Sequence, residues 1–228
     1  VSGKHVVEDQ RKIAMKSIIV LGNPRSGTSM TAGILSILGV SMGESSDEMK
    51  DNEILQSPKG FYENTDFINL TRNMHRELEK GQEKLVIEGR YTPKIQRNIA
   101  LHEKPLWGFK SAAVAPFLPM FTKHMGNVHT ITTTRNIIHN AKSWMVHMRD
   151  LFGTDVDFKK ALDVMSENQR EMLKTVSEAP NPNLFITYED LKKDPWSETI
   201  KLAEFLDISY EGKKEEVKEF ILPNYTTL

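Results

Sequence analysis

The chain has 228 residues, with 30 Lys and Arg against 31 Asp and Glu, for a formal net charge of −1. That length fits one domain, and a charge so near zero excludes wholesale coating of nucleic acid while leaving room for a local basic site. Cysteine is absent, which excludes disulfides, thiolate zinc sites and a cysteine nucleophile together and suits a reducing, cytoplasmic setting.

No apolar run approaches the roughly 18 residues that span a bilayer. Val1 to Lys16 is polar and mixed in charge, has no apolar leader core and begins without Met. We expect residues 1–16 to be an N-terminal extension or an expression remnant, from which a targeting segment could have been trimmed. A single domain is expected over residues 17–228. Asn-x-Ser/Thr triplets at Asn69 and Asn224 are short enough to arise by chance.

Ser17 to Gly22 is a β-branched run stopped by glycine, the pattern of a buried strand. Thr28 to Leu38 reads as a helix closed by Gly39 in the left-handed stop position. Residues 41 to 62, rich in Ser, Asp, Gly and Pro, read as a long loop, and Asn64 to Lys80 as a helix ending at Gly81. Leu106 to Lys110 and Val128 to Thr134 read as strands. Asn136 to Leu151 carries Ile137, Ile138, Ala141, Trp144, Met145 and Met148 at helical spacing, and Phe158 to Val176 repeats the pattern. Leu184 to Tyr188 reads as a further strand. Pro195 to Leu206 is a helix with proline at its first position, and a charged helix begins near Gly212. Strands alternating with helices predict one α/β domain, with a central, mainly parallel sheet flanked by helices.

The chemistry concentrates after the first strand. Gly22-Asn23-Pro24-Arg25-Ser26-Gly27-Thr28-Ser29 has the G-x-x-x-x-G skeleton of a phosphate-binding P-loop, placed between strand and helix. Glycines let the backbone curl so that N–H groups point inward. The first amides of a helix have no intrahelical partner and sit at the positive end of its dipole. A phosphate or sulfate oxygen satisfies both. A nucleotide-triphosphate loop has Lys after its second glycine; here Thr28 stands there and the charge sits inside the curl at Arg25. This disfavours a magnesium-bound triphosphate and favours a shorter anion at the 5′ end of a nucleotide.

Val128 to Thr134 ends in Arg135-Asn136, and Ser143 follows eight residues after Arg135. Ligands gather at the C-terminal ends of parallel strands. Arg135 alone reads as a surface ion pair. Taken with the first loop, it and Ser143 read as a second phosphate site on the same nucleotide.

The set resembles the PAPS-dependent sulfotransferases, which use 3′-phosphoadenosine 5′-phosphosulfate as sulfuryl donor. Pro24 to Ser29 is similar to their 5′-phosphosulfate loop, and Arg135 with Ser143 to their 3′-phosphate site. Ser57 to Asn64, Leu106 to Lys110, and Ile186 to Pro195 running into Ala203 to Leu206 are similar to the bacterial-type branch. The resemblance runs in order over roughly residues 17 to 208 and implies a P-loop-like fold shared with nucleoside kinases.

It further implies that Arg25, Ser26, Gly27, Thr28 and Ser29 hold the phosphosulfate and that Arg135 and Ser143 hold the 3′-phosphate. It implies sulfuryl transfer to an acceptor hydroxyl or amine, without a metal. Glu63 stands where other branches of the superfamily place a glutamate base, against a reading as a surface carboxylate. Lys110 is read as stabilising charge at the bridging oxygen, against a reading as a salt-bridged strand-end lysine. Together with Arg25 these form the expected catalytic set.

The pattern departs from cytosolic relatives at Ala112, where they carry a catalytic His. It also departs in Lys110-Ser111-Ala112, where bacterial relatives often read Lys-Asp-Pro, and in lacking the glycine-rich C-terminal nucleotide loop of the cytosolic relatives. A small-molecule or nucleoside kinase and a non-catalytic nucleotide-binding relative are the rival readings. The acceptor stays open among small molecules, carbohydrates, lipids and peptides, with neither nucleic acid nor membrane expected as a partner. The 11 methionines read as core filling. The scattered histidines read as solvated or structural, and Tyr188-Glu189-Asp190-Leu191 as scaffolding.

Overall fold

The computed structural model describes residues 15–43, 62 and 64–221. The β-branched run folds as strand β1 (Lys16–Gly22), with Ile18, Ile19, Val20 and Leu21 all at 0% exposure. Successive strand residues point to opposite faces, so Ile18 and Val20 enter one apolar cluster while Ile19 and Leu21 enter another. A strand buried on both faces belongs in the middle of a sheet covered on both sides. Among the described residues the sheet has four strands in the order β2-β1-β3-β4, every pairing parallel, with β2 at Leu106–Lys110, β3 at Val128–Thr134 and β4 at Asn183–Thr187. This is the single α/β domain that the sequence predicts.

Helices α1 (Thr28–Ile37), α2 (Thr65–Glu79), α3 (Lys84–His102) and α4 (Leu118–Thr122) precede β3; α5 (Ile137–Phe152) and α6 (Phe158–Glu178) separate β3 from β4; α7 (Tyr188–Lys193), α8 (Pro195–Leu206) and α9 (Lys214–Ile221) follow. The cluster around Ile19 and Leu21 gathers α2, α3, α4 and the C-terminal half of α6. The cluster around Ile18 and Val20 gathers α1, α7, α8 and α9. Local chemistry sets the boundaries. Asn64 accepts hydrogen bonds from the amides of Asp66 and Phe67 and starts α2, and Gly39, at φ 92°, ends the turn after α1. Phe67 then stacks flat on Phe109 with ring centroids 4.2 Å apart, seating α2 on β2.

Two elements differ from expectation. Helix α3 is not anticipated, because Gly89 and Pro93 interrupt its pattern and Leu85, Val86 and Leu101 lie exposed outside its buried stripe. The signal was there in Ile87, Tyr91, Ile95 and Ile99, all buried and four residues apart. The last strand ends at Thr187 rather than Tyr188, since the Thr187 hydroxyl accepts from the Asp190 amide and caps α7. Met30, Met42, Met74, Met120, Met125, Met165 and Met172 are buried core residues, as expected. The loop expected over residues 41–62 lies largely outside the described residues.

The charges from Lys213 to Lys218 line the solvent side of α9, whose other side buries Val217, Phe220 and Ile221. Phe220 lies against Gly33 of α1, so that a Cβ at position 33 would sit 2.1 Å from the Phe220 ring. Gly33→Ala should therefore destabilise the fold: overpacking costs about 1–3 kcal/mol, while the alanine helix preference returns at most about 1 kcal/mol. Chemical denaturation should show a lowered midpoint, and adding Phe220→Leu should recover part of it.

Candidate anion-binding site

Three strand ends lie side by side at one edge of the sheet. In register, Val20 stands opposite Lys110, and Gly22 opposite Thr133. The three segments that leave these strands, residues 23–27, 111–114 and 135–136, therefore start near one another, with β2 ending opposite Val20, below the end of β1, and β3 running just past it.

The loop after β1 has the geometry of an anion cradle. Arg25 and Gly27 both adopt left-handed backbone, at φ 69° and 99°. Gly27 occupies the N-cap of α1 without any side-chain cap, and the first turn of the helix carries no acidic residue. Its opening amides and dipole are thus left to a ligand. Close approach fixes the glycines. A Cβ at Gly22 would meet Thr133 Oγ1 at 2.1 Å, and one at Gly27 would meet Tyr188 Cδ2 at 3.0 Å. Ser26, 1% exposed, shares a 2.8 Å hydroxyl hydrogen bond with Thr133, and its amide donates to the Asn23 carbonyl at 3.1 Å. Ser26 thereby shapes the curl from within.

Positive charge converges on this loop from both neighbouring strands. Lys110, the last residue of β2 and 3% exposed, donates from Nζ to Ser29 Oγ at 3.2 Å. Arg135, just beyond β3, donates from a terminal guanidinium nitrogen to the Arg25 carbonyl at 3.1 Å. Arg25 Nε in turn donates to Ser143 Oγ at 3.3 Å, two turns into α5. Residues 110 or more positions apart in sequence thus form one mouth. Arg135 Nε is buried and has no hydrogen-bond partner, an unmet donor of the kind an anion satisfies. Asn136 caps α5 with its side chain, while its amide donates to Glu189 at 3.0 Å.

Of the residues the sequence singles out, Arg25, Ser26, Gly27, Thr28, Ser29, Lys110, Arg135 and Ser143 belong to this mouth. Glu63 lies outside the described residues. Sequence reasoning missed Tyr188: the Arg135 guanidinium lies over its ring at 4.3 Å, and the ring backs onto Gly27. The only signal in the sequence is an aromatic at the end of a strand next to the two loops. Among the described residues no group of three or more His, Asp or Glu is placed to hold a metal ion, and no helix is long and apolar enough to cross a membrane.

The architecture defines a P-loop-like α/β domain whose strand ends bring two candidate anion-binding segments together. The chain matches the sulfotransferase domain family over residues 15–225, and it belongs to that family. A search of curated proteins found no match. Among solved structures, the sulfotransferase domain from the curacin biosynthetic pathway superposes with a TM-score of 0.52 at 21% identity, over 94% of this chain and 79% of that one. Sulfotransferase STF9 from Mycobacterium avium gives a TM-score of 0.60 at 15% identity, over 99% and 73%. Sulfotransferase STF1 from Mycobacterium tuberculosis H37Rv gives 0.55 at 13% identity, over 95% and 74%. These likenesses are of fold.

One histidine lies beside the segment leaving β2. His75 of α2 meets Phe117 edge-on, with centroids 5.4 Å apart. Burial pushes its imidazole below the ordinary 6.5, against the opposing pull of the Glu79 charge and the Ala113 carbonyl. A histidine held neutral by the fold contributes stability above its unfolded pKa, which is lost as pH falls and the unfolded chain takes up the proton first. His75→Gln should flatten the decline in melting temperature between pH 7 and 5. An unchanged slope would show that His75 carries no part of that acid sensitivity.

Proposed function

We propose that this chain transfers a sulfuryl group from 3′-phosphoadenosine 5′-phosphosulfate to an acceptor hydroxyl or amine. The observation that supports it most directly is the meeting of the two anion-binding segments. Arg135 bonds the backbone of Arg25, and Ser143 bonds its side chain, which supports one ligand with an anion at each end reaching both segments. The residues suit such a donor: an uncapped helix N-terminus for the phosphosulfate and a buried, unmet guanidinium N–H for the 3′-phosphate. Tyr188 would wall the nucleotide between them. Thr28 in the place of a lysine argues against a triphosphate.

In the reaction the acceptor oxygen or nitrogen forms a bond to sulfur while the bond from sulfur to the bridging phosphate oxygen breaks. The electron pair of the broken bond stays on the departing 3′,5′-bisphosphate. Arg25 and Lys110 stabilise the charge that grows there. The acceptor proton passes to a base, a role we assign to Glu63 on its place in the sequence alone. The acceptor belongs to the hydroxyl- or amine-bearing class and is a small molecule, carbohydrate, lipid or peptide.

Calorimetry should find adenosine 3′,5′-bisphosphate bound at least tenfold tighter than AMP and tighter than magnesium ATP. Arg135→Ala should remove the preference over AMP, because breaking a buried charged pair costs about 2–5 kcal/mol, roughly thirtyfold or more. Preference for magnesium ATP would overturn the reading. Transfer of labelled sulfate from the donor to an acceptor panel, abolished in Arg25→Ala, separates an enzyme from a non-catalytic binding relative.

A further inference from the structure

Resting on that reading, we propose that Asn140 is a positioning residue that fixes the 5′-anion loop in its binding shape by holding the Pro24 carbonyl. Asn140 lies on α5, is 1% exposed, and donates from Nδ2 to the Pro24 carbonyl at 2.7 Å. Its Oδ1 accepts from Asn23 Nδ2 at 3.2 Å, and the same Asn23 amide donates to the Met165 carbonyl on α6 at 2.9 Å. Asn23 is itself 5% exposed.

The chain of donors can run in only one direction. A carbonyl only accepts, so Pro24 fixes which face of the Asn140 amide it meets, and Met165 fixes Asn23 in the same way. The two orientations agree at the Asn23–Asn140 contact, and the buried network is satisfied at each of these bonds.

The effect on the loop follows from peptide geometry. A trans peptide points its C=O and N–H in opposite directions. Holding the Pro24 oxygen toward α5 therefore aims the Arg25 N–H the other way. The next plane is fixed as well, because Arg135 holds the Arg25 carbonyl while the Ser26 amide donates to Asn23. Arg25 sits in the left-handed region at φ 69°, a conformation that costs a non-glycine residue of order 1–3 kcal/mol and persists only where its surroundings enforce it. Asn140 supplies one such constraint, and it does so from the same helix that carries Ser143. The 5′ loop is thus set from the helix that carries Ser143, while the side-chain bonds of Asn140 go to Asn23 and Pro24 and not to Arg135 or Ser143.

Asn140→Asp tests this with little change of volume. It keeps the oxygen that accepts from Asn23 and replaces the donor facing Pro24 with an acceptor. Affinities of wild type, Asn140→Asp and Asn140→Ala are measured for adenosine 3′,5′-bisphosphate, AMP and 3′-AMP, alongside amide hydrogen exchange over residues 25–28 without ligand. Both variants should bind the bisphosphate and AMP at least tenfold more weakly and 3′-AMP within twofold of wild type, with exchange over residues 25–28 at least tenfold faster. Equal losses for all three ligands, unchanged affinities and exchange, or loss of the native near-ultraviolet signal in both variants would each overturn the proposal, the last two outcomes giving Asn140 no role or a purely structural one. A wild type that does not prefer the bisphosphate defeats the sulfuryl reading instead, and the exchange rates and AMP binding still judge the clamp.

Discussion

Gly22 stands so close to Thr133 that a single methyl group would collide with both its hydroxyl and its backbone. That contact is the tightest constraint at the mouth of the molecule. It lets β1 and β3 leave the sheet side by side, and the hydroxyl bond from Ser26 to Thr133 continues the same approach into the loop. With β2 paired on the other side of β1, three strand ends are brought to one place. Each contributes a different part: a curled backbone, a buried lysine and an arginine.

The electrostatics follow from this placement. An arginine whose Nε is buried without a hydrogen-bond partner is costly in a protein interior unless an anion completes it. The uncapped N-terminus of α1 adds partial positive charge at the same point. The fold's stability comes from elsewhere: two apolar clusters on opposite faces of the sheet hold the strands in register and leave the polar mouth to chemistry. Arg25 in left-handed backbone fits this division, since a conformation unfavourable on its own is held by bonds from α5 and β3.

Local patterns were legible where one interaction decides them. Ser17 to Gly22 could only be a buried strand, Pro195 could only open a helix, and the spaced glycines with Arg25 between them marked an anion loop. Helix α3 was hidden because Gly89 and Pro93 lower its intrinsic preference, while burial of Ile87, Tyr91, Ile95 and Ile99 in the apolar cluster it shares with α2 and α4 overrides that penalty. Tyr188 was read as scaffolding because nothing local distinguishes a tyrosine that packs from one that walls a site. Its meaning comes from Arg135 above it and Gly27 behind it.

The order of residues alone determined the class of fold and the two charged segments, because hydrophobic period, glycine placement and strand-end arginines are properties of short stretches. It did not determine that these segments touch. The Asn23–Asn140–Met165 chain, the bond from Arg135 to the Arg25 carbonyl and the one from Lys110 to Ser29 join residues far apart in the chain. They exist only because parallel pairing puts β1 between β2 and β3, and a contact of that kind is fixed by which strand lies beside which rather than by any local preference of the residues that make it.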